Sequence, residues 1–541
     1  MESEKETVTT EQTSTPNPVP LEKGFAFSSS GIFKKSQLFD ETRCHTYIVQ
    51  MNKECLTHNS DTYKIHIARM KGLKIINKIL KKANKEHITF QNIVQIVWCT
   101  LSCVHHFQIR LCQSKNLLSF GKWRQSQEAL ETFDRLVQTY QQMDYLILKS
   151  IVKFFKEAKL WGNEFMSHDL LTRFLAFTSD RSAVIYELLS VCEEYTNANN
   201  ITEARELLRI VDKMFEDYEW RSINETLLEK LFKMFFSSIG PGAEDEDNIL
   251  IIQKGLEVCL RHVLESLHNH DLMIAIRLLL IWVQKEDVNE SILLEIGSML
   301  EYAAMNYHTK LYKESIPNDV IDSLLKLISS KNMLQSLLGN RVMHYLIDRC
   351  NNRLKVDTPR IFYENSKYNI VVNTYHEQDK QFFQKHREAF HASLLTSIMT
   401  HGMRQINLES SYTLIALLML EIPCAYTAAA GVCLAMAIQE ATFDNDNFNM
   451  NQSHRLHATV MAIMSLVCYI FNAKVFYEYI NTIIDRRAEF APHLNPPLKR
   501  IYEYNQHHVH WDKPELFFED WEARYGLWKC FKQDENKTFT A

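Results

Sequence analysis

Cysteine and histidine supply the first candidate chemistry. Cys99 and Cys103 stand one helical turn apart, and His105-His106 follow, so that His106 joins the two thiols on one face of a helix. That set suggests a metal. Structural zinc, however, takes four ligands at loop spacings that usually include a C-x2-C pair. No such pair is present, and Val97, Leu101 and Val104 make the flanks apolar. Buried thiols are the expectation. His507, His508 and His510 with Asp512 form a second cluster, where ligation is conceivable, but Trp511 and Pro514 beside it argue for a packed aromatic corner. His262, His268 and His270 are a weaker grouping still. The paired carboxylates Glu193-Glu194 read as a solvated helix surface. No nucleophile elbow, phosphate-cradling glycine loop, kinase signature or HExxH occurs. No catalytic, cofactor-binding or metal residue is therefore assigned, and no cofactor is expected.

A different chemistry, charge recognition, is written more plainly over residues 62–86. With Lys71 at 0° and about 100° per residue, Lys64, Lys74, Lys78, Lys81, Lys82 and Lys85 all fall within an arc of roughly 100° around it. Ile65, Ile75, Ile76, Ile79 and Leu80 take the other side. No Asp or Glu intervenes between Asp61 and Glu86. A face of one sign repels itself unless an anionic partner or solvent screens it. The candidate partners are acidic lipid headgroups, an acidic peptide or RNA, against the plainer reading of a solvated outer face.

The elements that must position such a face are helices. Gly 13 and Pro 11 among 541 residues fall far below the usual roughly 7% and 5%. Hydrophobic residues make up 46% of the chain. So long a helical chain does not bury one spherical core; it splits into bundles or stacks helix pairs along an axis. The net charge of -6 makes nucleic acid the weaker partner expectation. Met1 to Pro20 lacks an apolar h-region, so no signal peptide is expected. Twelve cysteines, scattered in apolar helical contexts, fit small buried hydrophobes in a reducing compartment.

In chain order, 1–44 reads as a disordered tail. Helical repeats follow over 45–239. Gly240-Pro241-Gly242 and the acidic run to Asp247 make 240–248 a solvated seam. Helix pairs resume over 249–350, with Asn318 after Pro317 as an N-cap. Residues 351–380 break the pattern and read as an irregular or hairpin insert: Ile361-Phe362-Tyr363 and Ile370-Val371-Val372, separated by a polar turn, favour a short hairpin. Residues 381–490 are the apolar repeats, in which Ser411–Leu420, Ile422–Ile438 and Ala458–Ala473 are expected as fully buried helices. Residues 491–541 are expected as an aromatic-rich cap. The apolar runs reach at most the short end of the roughly 20 residues a membrane span needs, so no transmembrane segment is expected.

This cadence of helix and turn, with few breakers and apolar central helices, resembles an ARM/HEAT-type α-helical repeat over residues 45–490. The resemblance implies an all-α, right-handed α-solenoid of stacked antiparallel helix pairs, here with a disordered tail and the inserted hairpin-like loop. It also implies an interaction scaffold that binds protein partners. The leading expectation is a non-catalytic intracellular adaptor, cytoplasmic with the nucleus left open. One alternative is a peripheral membrane or vesicle-trafficking factor recruited by the basic amphipathic helix. Another is an RNA-binding or nuclear transport factor.

Overall fold

The computed structural model describes residues 41–56, 61–82, 88–113, 120–218, 220, 222–239, 246–285, 289–444, 449–502 and 513–538. Among the described residues there are 21 α-helices and no strand. The first half holds α1 (Glu41–Leu56), α2 (Thr62–Lys82), α3 (Phe90–Cys112), α4 (Phe120–Thr139), α5 (Asp144–Ala158), α6 (Glu164–Phe177), α7 (Arg181–Asn197), α8 (Ile201–Asp217) and α9 (Glu225–Ser237). The second holds α10 (Glu246–Ser266), α11 (Asn269–Val283), α12 (Glu290–Asn306), the single turn α13 (Tyr312–Ser315), α14 (Asn318–Ile328) and α15 (Met333–Ile347). It closes with α16 (Glu377–His401), α17 (Gln405–Glu421), α18 (Ala425–Asp444), α19 (Met450–Phe471), α20 (Lys474–Phe490) and α21 (Asp520–Thr538).

The helices pack as pairs, α1 with α2, α3 with α4, α7 with α8 and so on to α18 with α19, and each pair leans on the next. One row runs α2–α4–α6–α8–α10–α12–α15–α17–α19; in the other, α7–α9–α11–α14–α16–α18–α21 follow one another. One core cluster extends from Cys44 in α1 to Leu527 in α21. It is a continuous apolar seam of the kind stacked repeats produce, each layer burying the face its neighbour cannot cover alone.

Local chemistry sets the helix ends. Thr89, Asp180, Asn224, Asn289, Asn332 and Asn449 each accept a backbone N–H of the first turn on the side-chain oxygen, satisfying donors that the helix leaves open. Asn472 ends α19 in the left-handed conformation at φ 49°, which asparagine tolerates. The expected cap at Asn318 is displaced. Pro317 takes the cap position, and the Asn318 side-chain oxygen accepts from Lys385 Nζ at 2.9 Å and bonds His386 Nε2 at 3.2 Å.

Ser411–Leu420 is buried all round, as is every residue from Ser410 to Glu421 in α17. The Ala458–Ala473 run is buried through Cys468 in α19, but Tyr469, Ile470 and Phe471 are half-buried and Asn472 is exposed. The remaining run is open along one side. In α18, Ala425, Ala429, Cys433 and Glu440 form an exposed stripe, because α18 lies in the row that α21 covers only in part. Among the described residues, Met450–Phe471 is long and apolar enough to cross a membrane, but 83% of its most apolar window is buried inside the structure, as in a core helix.

The hairpin predicted over 351–380 does not form. The segment is irregular apart from a turn of 3-10 helix at Arg353–Lys355 and the start of α16 at Glu377. Its apolar runs find helices instead of each other. Phe362 is buried and its N–H donates to Ser465 Oγ in α19 at 3.1 Å. Val371 N–H donates to Asn352 Oδ1 at 2.9 Å, and Asn373 N–H to the Leu420 carbonyl at 2.9 Å. With backbone groups satisfied this way, no ladder is needed. The tail expected over 1–44 and the loop expected over 240–248 are described only at their ends, where Glu41 opens α1 and Glu246 opens α10; residues 1–40, 240–245 and the cluster at His507, His508, His510 and Asp512 lie outside the described residues.

Candidate anion-binding face

The lysine arc sits on α2. Asp61 starts the helix: its Oδ1 accepts from the N–H of Tyr63 at 2.9 Å and of Lys64 at 3.4 Å. Arg69, Gly72, Leu73, Ile76 and Ile79 turn inward and are buried. Lys64, Lys71, Lys74, Lys78, Lys81 and Lys82 are all exposed; Lys85 lies outside the described residues. The helical spacing thus separates one apolar side, packed on α1, α3 and α4, from one cationic side.

Among the described residues, little on this face neutralises it. Lys64 approaches Asp61 at 3.7 Å, with 71% of the lysine side chain exposed, and such a pair in water contributes little. Lys78 donates to Tyr47 Oη and rests over that ring, 4.2 Å from its centroid. The bond from Lys78 leads in holding the Tyr47 phenol below its ordinary pKa, and Arg43 and Lys82 add to it. Exposed Arg43 on α1, which acts on the same phenol, extends the charge. Over residues 41–82, nine Lys and Arg stand against three Asp and Glu, in a chain whose net charge is -6.

Close packing behind the face holds it in place. A Cβ on Gly72 would lie 2.2 Å from Cys55 Sγ, so α1 and α2 approach at a position only glycine fits. Cys55 in turn lies 3.7 Å from Cys103, and Cys99 donates to Asn52 Oδ1 at 3.3 Å. Cys99 and Cys103 are therefore core thiols against α1, while His106 turns away to meet His66 at 5.7 Å between ring centroids. The structure does not bring these candidates together as ligands. Among the described residues, no group of three or more His, Cys, Asp or Glu is placed to hold a metal ion.

Sequence reasoning missed a buried ionic junction in the C-terminal half. Arg349 bonds Glu421 at 3.1 Å and Asp379 at 2.8 Å, and both carboxylate side chains are fully buried. A signal existed: Glu421 is the lone charged residue between Glu409 and Glu440.

Comparison with known proteins gives the same architecture a family. The model of the EFR3 armadillo repeat matches residues 41–520. Protein EFR3 homolog A of Mus musculus is 26% identical over 194 residues, 35% of this chain and 23% of that protein. Protein EFR3 homolog B of Homo sapiens is 24% identical over 183 residues, 34% and 22% of the two chains. Protein EFR3 homolog cmp44E of Drosophila melanogaster is 23% identical over 198 residues, 36% and 22% of the two. Each match spans less than a quarter of the relative's length. A solved engineered protein aligns over 90% of this chain at 10% identity with a TM-score of 0.21, too low to bear on the fold. Family match, helical pairing and continuous core agree: the chain belongs to the EFR3 armadillo-repeat family.

Proposed function

We propose that this chain is a non-catalytic scaffold whose first layer docks on an acidic membrane surface through α2, leaving the rest of the solenoid for protein partners. The observation that carries the reading is the joint exposure of six lysines on one helix of a net-acidic chain. A partner attracted by net charge would meet repulsion or indifference elsewhere; here the field is local and oriented. Each basic residue near an anionic leaflet contributes roughly 1 kcal/mol, so six together suffice for reversible docking without a lipid anchor. All twelve cysteines are free thiols, which supports a site on the cytoplasmic side.

Vesicle cosedimentation tests the reading. Binding is expected to phosphatidylcholine vesicles containing phosphatidylserine and not to phosphatidylcholine alone. It is expected to fall steeply as added salt shortens the roughly 10 Å screening length at 0.1 M. Equal binding to both vesicles, or binding indifferent to salt, contradicts it.

A further inference from the structure

The opposite side of α2 borders a cavity of about 930 Å³. Arg69 reaches it from α2, and His105, His106 and Arg110 reach it from α3. Trp98 and Phe154 close the apolar side, edge to face at 5.5 Å. No Asp or Glu lines it among the described residues.

Among the described residues the wall carries two guanidiniums and no carboxylate, with Thr62, Tyr63, Ser102 and Gln113 as its neutral polar groups. Arg69 is buried, and its Nη1 donates to the Glu54 carbonyl at 2.6 Å. Among the described residues no carboxylate pairs with Arg110. His106 Nε2 and Trp98 Nε1 are buried without a hydrogen-bond partner, and so is Nδ1 of His66, whose ring lies 5.7 Å from that of His106. Burial, then repulsion from His66, Arg110, Arg69 and His105, holds His106 down to about 4, so at neutral pH it is an uncharged imidazole beside two guanidiniums. Buried polar atoms are ordinarily bonded; the Trp98 indole N–H is an open donor, each neutral imidazole donates from one of its two nitrogens, and such groups beside fixed positive charge describe a place for an anion. Two guanidiniums match the charge and the several oxygens of a phosphate dianion, to which arginine donates in pairs. The volume is far more than inorganic phosphate fills and lies in the range of small-molecule sites.

We propose that this cavity binds a phosphate monoester bearing an apolar or aromatic body, with Arg69 and Arg110 on the phosphate and Trp98 and Phe154 against the body. The site is separate from the lysine face, which lies on the other side of α2. A lipid headgroup and a soluble phosphate ester present the same chemistry.

Isothermal titration calorimetry of the intact chain tests it with 4-nitrophenyl phosphate, inorganic phosphate and 4-nitrophenol. The aromatic phosphate is expected to saturate one site, at least about tenfold tighter than either fragment. Arg110→Glu is expected to weaken it by at least about tenfold while vesicle cosedimentation persists. Charge reversal on the lysine face is expected to do the opposite. His106→Gln, a milder change whose fold circular dichroism verifies, is expected to weaken the aromatic phosphate several-fold. Dihexanoylphosphatidic acid separates the sources: binding tighter than that of 4-nitrophenyl phosphate assigns a lipid headgroup, weaker binding a soluble ester. No saturable binding, equal binding of the phenol, or unchanged binding by both variants overturns the proposal.

Discussion

Arg349 and Glu421 lock the start of the irregular segment to the end of α17. Glu421 Oε1 accepts the backbone N–H of Arg349 and of Cys350, both at 3.0 Å, while Arg349 Nε donates to Glu421 Oε2 at 3.1 Å. Asn373 adds a bond to the same carboxylate at 2.6 Å, and the guanidinium stacks over Tyr312, 4.2 Å from its ring centroid. The segment thus enters and leaves at one buried charge. Removing one partner of a buried pair costs about 3–5 kcal/mol, because it strands the other. Arg349→Met and Glu421→Gln are each expected to lower the denaturation midpoint strongly. The double variant should lose clearly less than the sum, as a double-mutant cycle by urea unfolding would read.

Gly72 offers a test whose sign reverses. Replacing a helical glycine by alanine gains about 1 kcal/mol in propensity. Here the new Cβ meets Cys55 Sγ at 2.2 Å, and overpacking of that kind costs about 1–3 kcal/mol. Gly72→Ala alone is expected to lower Tm. In a Cys55→Ala background, where the sulfur is gone, the same change is expected to raise it.

Buried histidines make the C-terminal half acid-sensitive. Burial pushes His344 down to about 3, against an opposing bond to the Ser410 carbonyl at 2.8 Å. Burial, with His493 beside it, pushes His454 down to about 4, and His457 also lies well below its ordinary value through burial. Each folded pKa is below the unfolded value near 6.5, so the unfolded chain takes protons first as pH falls. The stability is complete above about pH 6.5 and is lost downward toward pH 4 and 3, at up to about 1.4 kcal/mol per unit for each histidine. Urea midpoints measured from pH 7 to 5 should fall, and less steeply in His344→Gln/His454→Gln. An unchanged slope in that variant contradicts the assignment.

Arg487 holds the C-terminal segment without a carboxylate. It is fully buried and donates to the carbonyls of Leu516 at 2.7 Å, Leu494 at 2.9 Å and His457 at 3.2 Å. Burial lowers its pKa to about 9. Lysine cannot reach three carbonyls with a planar fork. Both Arg487→Met and Arg487→Lys are expected to speed tryptic cleavage within 495–515 by several-fold, read by limited proteolysis and mass spectrometry.

Much of this was legible in the sequence because helices are local. The scarcity of glycine and proline, the asparagines at turns and the spacing of the lysines act within a few residues, and these features reappear in α2, α17 and α19. The hairpin failed because it depended on distant partners. Ile361-Phe362-Tyr363 has strand-like composition, but Phe362 is claimed by Ser465, Tyr368 and Tyr469, over a hundred residues away in the case of Ser465. The exposed stripe on α18 was hidden likewise, since composition records apolarity but not which neighbour fails to cover it. The cavity behind α2 needed four helices, α1, α2, α3 and α5, in place before Arg69 and Arg110 could face one space.

The most direct test of the docking face is charge reversal at Lys71, Lys74, Lys78 and Lys81 to Glu, compared with the same four-charge reversal at Lys254, Lys313, Lys326 and Lys331, which are exposed on other layers. On phosphatidylserine vesicles, the α2 variant should pellet no more than it does with neutral lipid, since about 1 kcal/mol per lysine is lost, while the control variant retains most of its binding. Equal loss in the two variants, or full binding by the α2 variant, would show that the lysine face of α2 is not what meets the membrane.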